Sequence, residues 1–388
     1  MNLIFRLTKT NRYSVIPLIA AIYNKVDVKI HLAKSLKEIL SYPTDSIVAY
    51  SFMSFDVDWV KKEVETLKAK GYKVIAGGPH VTAAARDCIK LGFDAVFLGD
   101  GEKNLLDFLL GKDNKIFDGI TDRVNLDDYP PFCADMNLFM PIEITRGCPF
   151  SCAYCATPLI SGRKPRHRSV ESIVYYSKLG VEKGKYIVRF ISPNAFGYGS
   201  KDGITPNPPL VDELLFSLKK VGIREIYFGT FPSDVRPESV TDEMMKVIKK
   251  YVNNKSIKIG AQSGSDEILK KIKRGHDSKK VFEAVEIILQ NGFQPSVDFI
   301  FGFPFETDED RKQTLEMIKK LIKVGCKIHA HTFMPLPGTA LAKSGPAVVP
   351  EWLKKELGRL SFKGLLDGFW QKQEDLSVKL WNIEQSQM

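Results

Sequence analysis

Two hydrophobic periodicities alternate along this chain of 388 residues. Short apolar runs of strand length are separated by longer segments in which apolar residues recur three and four positions apart, as in Val57, Val60, Val64 and Leu67. The first pattern predicts buried strands, and the second predicts amphipathic helices. Regular alternation of the two predicts a parallel sheet covered by helices. We therefore expect an α/β protein.

The first series of elements predicts a Rossmann-like domain over residues 1–120. Its strands are expected at residues 2–7, 26–30, 46–50, 73–76 and 94–98. Glycine-rich turns follow the last two of these strands, GGPH at residues 77–80 and GDGE at residues 99–102. Ligands of such sheets bind at the carboxyl ends of the strands, so both turns are candidate binding segments.

Residues 121–140 are expected to link this domain to the next. Asp122, Asp127, Asp128, Pro130 and Pro131 interrupt any regular pattern there. A second alternating series then predicts a partial (β/α)6 barrel over residues 141–340. Its strands are expected at residues 142–145, 186–191, 225–229, 257–262, 296–301 and 327–333. The active site of a parallel barrel lies at the carboxyl ends of its strands.

The last segment, residues 341–388, is expected to be a helical C-terminal extension. Its apolar positions have helical spacing and include Trp352, Leu357, Leu365, Phe369, Trp370 and Leu380. Packing across the barrel is the favoured role, and a lid over the substrate is the alternative.

The composition, 44% hydrophobic and 26% charged, is that of a soluble globular protein with a core. The sequence contains no uninterrupted stretch of ~18 apolar residues, so no membrane-spanning helix is expected. The N-terminal sequence MNLIFR lacks the basic start and long apolar run of a signal peptide. We therefore expect a cytoplasmic protein.

A net charge of +10 permits an anionic partner such as a nucleic acid. Surfaces rich in both lysine and glutamate are common, however, and explain the charge as well. Nucleic-acid binding is therefore not favoured by charge alone.

Cysteine is the residue type that carries the chemistry. Residues 147–155 read GCPFSCAYC, which spaces Cys148, Cys152 and Cys155 as C-x3-C-x2-C. Three thiolates can hold three irons of a [4Fe–4S] cluster and leave the fourth iron open to another ligand. An open coordination position is typical of a catalytic metal rather than a structural one.

The remaining cysteines do not change this interpretation. Cys88, Cys133 and Cys326 are scattered, so the six do not form a disulfide framework, and a reducing compartment suits them. A zinc site is the alternative, but structural zinc uses two Cys pairs or Cys/His pairs, and no second pair with that spacing occurs here.

The cysteine motif resembles the signature of the radical S-adenosylmethionine (radical SAM) enzymes. The resemblance implies that the open iron binds SAM, that a reductant such as ferredoxin or flavodoxin supplies an electron, and that SAM is cleaved to a 5′-deoxyadenosyl radical. Tyr154 matches the family position that packs near the adenine. A basic run after the cysteines, Arg163, Lys164, Arg166, His167 and Arg168, is either a solvated loop or a set of charges for an anion.

Further segments resemble the same family. Residues 191–194 (ISPN) stand where a family motif contacts SAM, and GAQSGSDEIL at 260–269 followed by KRGH at 273–276 resembles a shared SAM-binding run. GFPFET at 302–307 and PLPGT at 335–339 resemble turns at the barrel mouth, although Phe305 replaces the usual glycine. The resemblance implies SAM-contacting roles for Ser192, Pro193, Asn194, Gln262, Ser263, Ser265 and Asp266.

The N-terminal domain resembles the B12-binding domain joined to many radical SAM enzymes. GGPHVT at 77–82 and DAVFLGDGE at 94–102 carry this resemblance. It implies cobalamin above the barrel mouth, and it implies contacts from Gly77, Gly78, His80, Thr82, Gly99, Gly101 and Glu102. The D-x-H-x-x-G motif that supplies a histidine to cobalt is absent.

The sequence therefore predicts a cobalamin-associated radical SAM enzyme. The favoured reaction is methylation of a carbon atom in a substrate that the sequence does not identify. A methylthiotransferase acting on tRNA or protein is the first alternative. Such enzymes need three further cysteines in the N-terminal domain for a second cluster, and these are missing. A non-catalytic Fe–S sensor is the second alternative.

Overall fold

The computed structural model describes residues 1–386 and divides the chain into two units. The first unit comprises residues 1–142 with residues 159–162, and the second comprises residues 143–158 with the chain from residue 163 onward. Residues 121–140, which we expected to be a linker, are grouped with the first unit and include buried Leu126 and Phe132. The last two residues of the expected C-terminal extension lie outside the described residues.

The first unit contains a six-stranded parallel sheet in the order β2-β1-β3-β4-β5-β6. Its strands are β1 (Asn2–Arg6), β2 (Lys29–Ala33), β3 (Ile47–Ser51), β4 (Lys73–Gly77), β5 (Ala95–Gly99) and β6 (Ile116–Gly119). Its helices are α1 (Arg12–Ile22), α2 (Leu36–Ile39), α3 (Val57–Ala69), α4 (Pro79–Ala83), α5 (Ala85–Lys90) and α6 (Glu102–Leu109).

Both faces of this sheet are buried. Successive side chains of a strand point to opposite faces, so neighbouring buried residues report on the two faces separately. Ile4 and Val48 belong to one apolar cluster, and their chain neighbours Leu3 and Ala49 belong to another. Burial on both faces explains why β1, β3, β4 and β5 were readable as continuous apolar runs.

Two strands of this sheet differ from the expectation. The strand expected at residues 26–30 begins at Lys29 instead, because Val26 and Val28 pack against the core from the preceding loop. The edge strand β6 was missed because Phe117 is its single large buried side chain.

The second unit carries its parallel strands in two sheets, β11-β10-β7 and β12-β13-β14-β15. The strands are β7 (Ile142–Glu143), β8 (Thr145–Arg146), β9 (Arg166–His167), β10 (Ile187–Ile191), β11 (Glu225–Tyr227), β12 (Ser256–Gln262), β13 (Gln294–Phe301), β14 (Lys327–Thr332) and β15 (Leu366–Asp367). A parallel bridge between Val235 and Ile259 joins the segment after β11 to β12. The strands β7, β10, β11, β12, β13, β14 and β15 therefore follow one another in chain order across the two sheets.

Helices connect these strands on the expected pattern. They are α7 (Thr157–Ser161), α8 (Val170–Glu182), α9 (Pro208–Lys220), α10 (Asp242–Lys249), α11 (Asp266–Lys271), α12 (Ser278–Gln290), α13 (Asp308–Lys323), α14 (Glu351–Phe362) and α15 (Trp370–Ser386). Local chemistry sets their ends: Thr307 and Asp310 form a reciprocal capping box at the start of α13, and Gly325 follows its end in a left-handed conformation.

Two expectations for this unit need correction. The single strand expected at residues 142–145 is divided, since β7 joins the β10 sheet whereas β8 pairs antiparallel with β9. The C-terminal extension is not entirely helical, because β15 pairs with Ile328 and His329 of β14 between its two helices. Among the described residues, none of the helices combines the length and apolarity needed to cross a membrane.

Candidate active site

The cysteine loop begins where β8 ends and closes where β9 begins. Thr145 pairs with His167 and Arg146 with Arg166, so the two short strands hold the ends of the loop together. The His167 ring accepts at Nδ1 from the Gly199 amide at 3.2 Å, and its Nε2 lies 2.8 Å from the Ser200 carbonyl oxygen. His167 is therefore a structural residue of the loop rather than a free basic group.

Backbone contacts fix the middle of the loop. The Ala153 amide donates to the Ile272 carbonyl at 2.9 Å, and the Ala153 carbonyl accepts from the Leu341 amide at 3.2 Å. The neighbouring Tyr154 ring packs near Phe303, with 6.0 Å between the ring centroids. The loop is thus attached to the end of α11 and to the turn after β14.

Two arginines converge on Cys152. Nη1 of Arg236 and Nη1 of Arg274 each lie 3.6 Å from its Sγ atom. Cys152 is buried, which opposes ionisation, but the two guanidinium groups outweigh burial and lower the pKa of the thiol. The structure therefore favours a thiolate at Cys152, the form in which cysteine binds metals.

The arginines are themselves held in place. Arg236 lies 3.3 Å from the centroid of the Phe150 ring, and its Nε donates to Glu238 Oε1 at 2.7 Å. Glu238 Oε2 is 2.9 Å from His276 Nδ1, and these neighbours lower the pKa of Glu238 to about 2 against the effect of its burial. Arg274 Nη2 donates to the Gly260 carbonyl at 2.8 Å.

The turn after β10 supports Arg236 rather than facing outward. Asn194 is buried, and its Nδ2 donates to the Gly203 carbonyl at 3.2 Å and to Ser239 Oγ at 2.8 Å. Its Oδ1 accepts from the Arg236 amide at 3.2 Å. Ser192 is also buried, and its hydroxyl accepts from the Asn194 amide at 3.3 Å. The side chain of Asn194 is fully engaged with protein, so its direct effect is on Arg236.

The segment after β12 is locally strained at Gln262, whose φ of +77° is left-handed and follows a register shift between Gly260 and Gln262. Ser263 and Ser265 are buried and bond to Thr314 (3.2 Å) and Asp310 (2.5 Å), respectively. Strain of this kind is typical of ligand sites.

Ser265 also caps α11, because its hydroxyl accepts from the Ile268 amide at 3.4 Å. Asp266 is exposed, and its Oδ1 accepts from the Ser278 amide at 2.7 Å at the start of α12. It lines an open cleft of about 590 Å³, together with Leu269, Lys273 and His276.

The three cysteine thiols of the loop are near one another. Burial raises the pKa of Cys148, and the thiols of Cys155 and Cys152 add to the rise, so the three lie within electrostatic reach of one another. Across residues 1–386, no group of three His, Cys, Asp or Glu side chains is gathered tightly enough for one metal ion. In a [4Fe–4S] cluster each thiolate binds a different iron, so its ligands stand farther apart. Three cysteine thiols are the donor set that such a cluster requires.

The two glycine-rich turns of the first unit are tied together by Thr82. Its hydroxyl donates to the Gly78 carbonyl at 2.9 Å and accepts from the Gly99 amide at 3.1 Å. Gly78 has φ of +97°, and a Cβ there would lie 2.7 Å from Ser51 Oγ. Gly99 is equally constrained by the Gly119 carbonyl. Both glycines are required by the packing of the turns.

The side chains expected to contact cobalamin are mostly internal. His80 is completely buried, with Nδ1 3.0 Å from Ser54 Oγ, and burial lowers its pKa to about 4. Glu102 and Thr82 are buried as well. Gly77 and Gly101 leave half-exposed backbone at the carboxyl ends of β4 and near β5. The residues fit a corrin lying against backbone, and they do not fit a cobalt ligated by His80.

Sequence comparison finds relatives of the second unit. The model of the radical SAM superfamily matches residues 142–318. A tRNA-2-methylthio-N(6)-dimethylallyladenosine synthase of Aquifex aeolicus is 30% identical over 256 residues, covering 65% of this chain and 53% of its own length. The chain thus spans about half the length of the curated relatives it matches.

Structural comparison covers more of the chain. TsrM of Kitasatospora setae, a radical SAM methyltransferase solved with cobalamin and a [4Fe–4S] cluster, has a TM-score of 0.67 and 14% identity, covering 88% of this chain and 76% of its own. OxsB, a cobalamin-dependent SAM radical enzyme, has a TM-score of 0.65 and 15% identity, covering 93% and 55%. At these identities the likeness is one of fold.

Sequence reasoning missed Arg236 as a site residue and quoted Arg274 only as part of a motif. Arg236 is separated from Cys152 by 84 positions and Arg274 by 122. The available signal was the set of charged residues, Asp234, Arg236 and Glu238, in the PSDVRPES run at 232–239, which follows β11 after four residues.

Proposed function

Because the chain belongs to the radical SAM superfamily, we propose that Cys148, Cys152 and Cys155 hold a [4Fe–4S] cluster at which SAM is cleaved reductively. The observation that carries this proposal is the pair of arginines on Cys152. Two cations that donate to one thiol stabilise the thiolate and offset part of the negative charge of a bound cluster.

The cluster, when bound, supplies the electron for SAM cleavage, and the protein supplies position and shielding. Tyr154 provides an aromatic wall beside Phe303 in an apolar cluster with Ile268 and Leu269. The strained backbone at Gln262 presents polar groups at the carboxyl end of β12. Asn194, whose amide donates to Ser192, sets the position of Arg236. Ser265 caps α11, and Asp266 accepts from the first residue of α12. We also propose that Ser192, Pro193, Gln262 and Ser263 lie at the SAM site.

We further propose that the first unit binds cobalamin and that the reaction is a methyl transfer. The half-exposed backbone of Gly77, Gly78, Gly99 and Gly101 would lie against a corrin, which carries a methyl group when bound. Methyl transfer to carbon follows as the proposed reaction. A small electron carrier, ferredoxin or flavodoxin, is the proposed reductant.

The test of SAM cleavage is an anaerobic assay with the reconstituted protein. With dithionite and SAM, the wild type should form 5′-deoxyadenosine, whereas Cys152→Ala should lose the cluster absorbance and this product. Cys326→Ala, a buried cysteine outside the loop, is the matched control and should keep both. Product formation by Cys152→Ala at the wild-type rate would overturn the assignment. A wild type that holds a cluster but cleaves no SAM would favour a sensor.

The test of cobalamin binding is independent of turnover. The protein is incubated with hydroxocobalamin, freed of excess by gel filtration, and its visible spectrum is recorded. About one corrinoid per chain is the expected result. No retained corrinoid with an intact cluster would leave a radical SAM enzyme without cobalamin.

Methylthiolation is the second candidate, and the sequence relatives favour it. A second cluster in the first unit would need further thiols. Cys88 and Cys133 lie in the two apolar clusters on opposite faces of the sheet, so they cannot both bind the same iron–sulfur cluster. Iron analysis separates the candidates: four irons per chain support the first proposal, and eight support methylthiolation.

A further inference from the structure

A group of charged side chains lies on neighbouring strands of the second unit. Lys258 of β12, Asp298 of β13 and His331 of β14 come together, with Asp298 Oδ2 3.3 Å from Lys258 Nζ and 3.9 Å from His331 Nε2. Their chain neighbours Ile257, Val297 and Ala330 are buried in the core. Since strand residues alternate in direction, the charged group occupies the face opposite the core.

A second carboxylate faces the same group. Asp234 precedes the bridge to β12, and the charges that act on it are those of Lys258, Asp298 and His331. Burial, which Lys258 offsets in part and Asp298 reinforces, raises the pKa of Asp234 to about 6. Two carboxylates therefore share one lysine in a poorly hydrated place.

Both carboxylates keep a vacant acceptor. Asp234 Oδ1 and Asp298 Oδ1 are buried from solvent and have no hydrogen-bond partner within the described part of the chain. Asp298 as a residue is 8% exposed. Buried polar atoms are nearly always hydrogen-bonded, and leaving one without a partner costs about 1–3 kcal/mol. Two orphaned acceptors in one place indicate that a donor-bearing ligand belongs there.

The C-terminal helix α15 contacts His331 through Gln373. Gln373 Oε1 accepts from the Thr332 amide at 3.0 Å, which sets the orientation of its side-chain amide. Gln373 Nε2 is then the donor to His331 Nδ1 at 3.3 Å. The Nδ1 atom of His331 is therefore engaged by Gln373, and Nε2 is the ring nitrogen that faces Asp298.

The charge of the group favours a cation. Lys258 contributes +1 and the two carboxylates contribute −2 when both are ionised, so the carboxylates outnumber the lysine. A cationic ligand restores neutrality, whereas an anion would face two carboxylates. A protonated amine brings both the positive charge and the N–H donors that the two orphaned oxygens lack.

The position of the group relates it to the cysteine loop. Asp298 is the register partner of Gly260 on the neighbouring strand. The Gly260 carbonyl accepts from Arg274, whose other terminal nitrogen contacts Cys152. A ligand at Asp298 would thus lie one strand away from the residue that supports the cluster thiolate.

We propose that Asp234, Asp298 and His331 form the substrate-binding site for a protonated amino group. This inference rests on the proposed function and names the substrate class of the same site. Asp298 and Asp234 accept hydrogen bonds from the ammonium group, and Lys258 holds Asp298 in position. The substrate carries an amino group near the carbon that is modified.

The test uses the full-length reconstituted protein and simple probes matched in size. Binding of pentylamine, pentanol and pentanoate is measured by saturation-transfer NMR in the wild type, Asp298→Asn and Asp113→Asn. Asp113 is an exposed carboxylate of the first unit and serves as the matched control. The wild type and the control should bind pentylamine in preference to the other probes, and Asp298→Asn should bind it at least about tenfold more weakly.

Three outcomes would overturn the inference: equal binding of pentylamine and pentanol by the wild type, unchanged pentylamine binding in Asp298→Asn, or preferential binding of pentanoate. If Asp298→Asn does not fold, Asp234→Asn makes the same comparison. The binding measurement needs no turnover. Failure of SAM cleavage by the wild type would contradict the proposed function, whereas absent amine selectivity would contradict this inference alone.

Discussion

Arg274 donates from Nη1 to the sulfur of Cys152 and from Nη2 to the carbonyl oxygen of Gly260. One planar guanidinium group thus connects the cysteine loop to the carboxyl end of β12. Lysine cannot reproduce this geometry, since its ammonium is a single point charge on a flexible chain. Arg274 is therefore a positioning residue whose shape matters as well as its charge.

Replacement of Arg274 by lysine should make the reduction potential of the cluster more negative. Hydrogen bonds and positive charge near the cluster sulfurs stabilise the reduced form. A tenfold weaker stabilisation of that form corresponds to about 59 mV for a one-electron couple. A potentiometric titration followed by electron paramagnetic resonance measures the shift. The exposed neighbour Lys273, changed to arginine, is the control, and an equal shift in both variants would contradict the prediction.

Asn194→Ala should destabilise the protein and disturb the cluster together. The change removes two donated and one accepted hydrogen bond, and it leaves the Gly203 carbonyl and the Arg236 amide without partners. The expected loss is about 2–4 kcal/mol in the free energy of unfolding. Thermal unfolding measures this loss, and the visible spectrum after reconstitution reports on the cluster. Asn114→Ala, at an exposed position, should change neither quantity.

Thr82→Val should loosen the two glycine-rich turns. Valine has nearly the shape of threonine but can neither donate to the Gly78 carbonyl nor accept from the Gly99 amide. We expect a cost of about 1–3 kcal/mol and lower retention of corrinoid after gel filtration. Thr66→Val, which removes a surface hydroxyl bonded to its own helix, is the control. Unchanged stability and unchanged retention would show that the bridge is not needed.

Glu306 makes stability depend on pH. Burial raises its pKa to about 7, although the Gly302 amide at 2.9 Å and Arg311 oppose the rise. Because the folded-state pKa lies above the unfolded value, its stabilising contribution is full below about pH 4.5 and is lost as the pH rises through 7. Glu306→Gln keeps an acceptor for Gly302 and removes the cost of ionisation.

The variant Glu306→Gln should therefore be more stable than the wild type at pH 8.5, by up to roughly 3 kcal/mol, with the difference shrinking towards pH 4.5. Melting temperatures across this range measure the effect. Glu309→Gln, at an exposed position three residues later, should follow the wild type at every pH. A constant difference between Glu306→Gln and the wild type would rule out ionisation as its cause.

The sequence predicted those elements whose apolar side chains form a recognisable pattern along the chain. β4, β5 and β12 were placed within one or two residues because their apolar runs are bounded by turns. β8 and β9 were not recognised as a pair because two-residue strands have no periodicity of their own. β15 was missed for the same reason, since Leu366 and Asp367 pair with β14 only through tertiary structure.

The candidate site divides in a similar way. Cys148, Cys152 and Cys155 were found because their spacing lies within eight residues, whereas Arg236 and Arg274 reach Cys152 only through folding. The sequence did contain a signal for the lysine and aspartate of the proposed amine site, since Lys258 and Asp298 each interrupt an apolar strand. The SAM-contacting and cobalamin-contacting roles of the other residues remain predictions.

The short strand β15 has a consequence for solubility. It pairs with Ile328 and His329 and is followed by α15, whose Trp370 carbonyl accepts from the Thr332 hydroxyl at 2.8 Å. Together they cover the edge of a parallel sheet whose unpaired N–H and C=O groups would otherwise invite a strand from another molecule. Shortening the chain before residue 366 should therefore expose the edge of β14 and increase self-association relative to the full chain, as size-exclusion chromatography would measure.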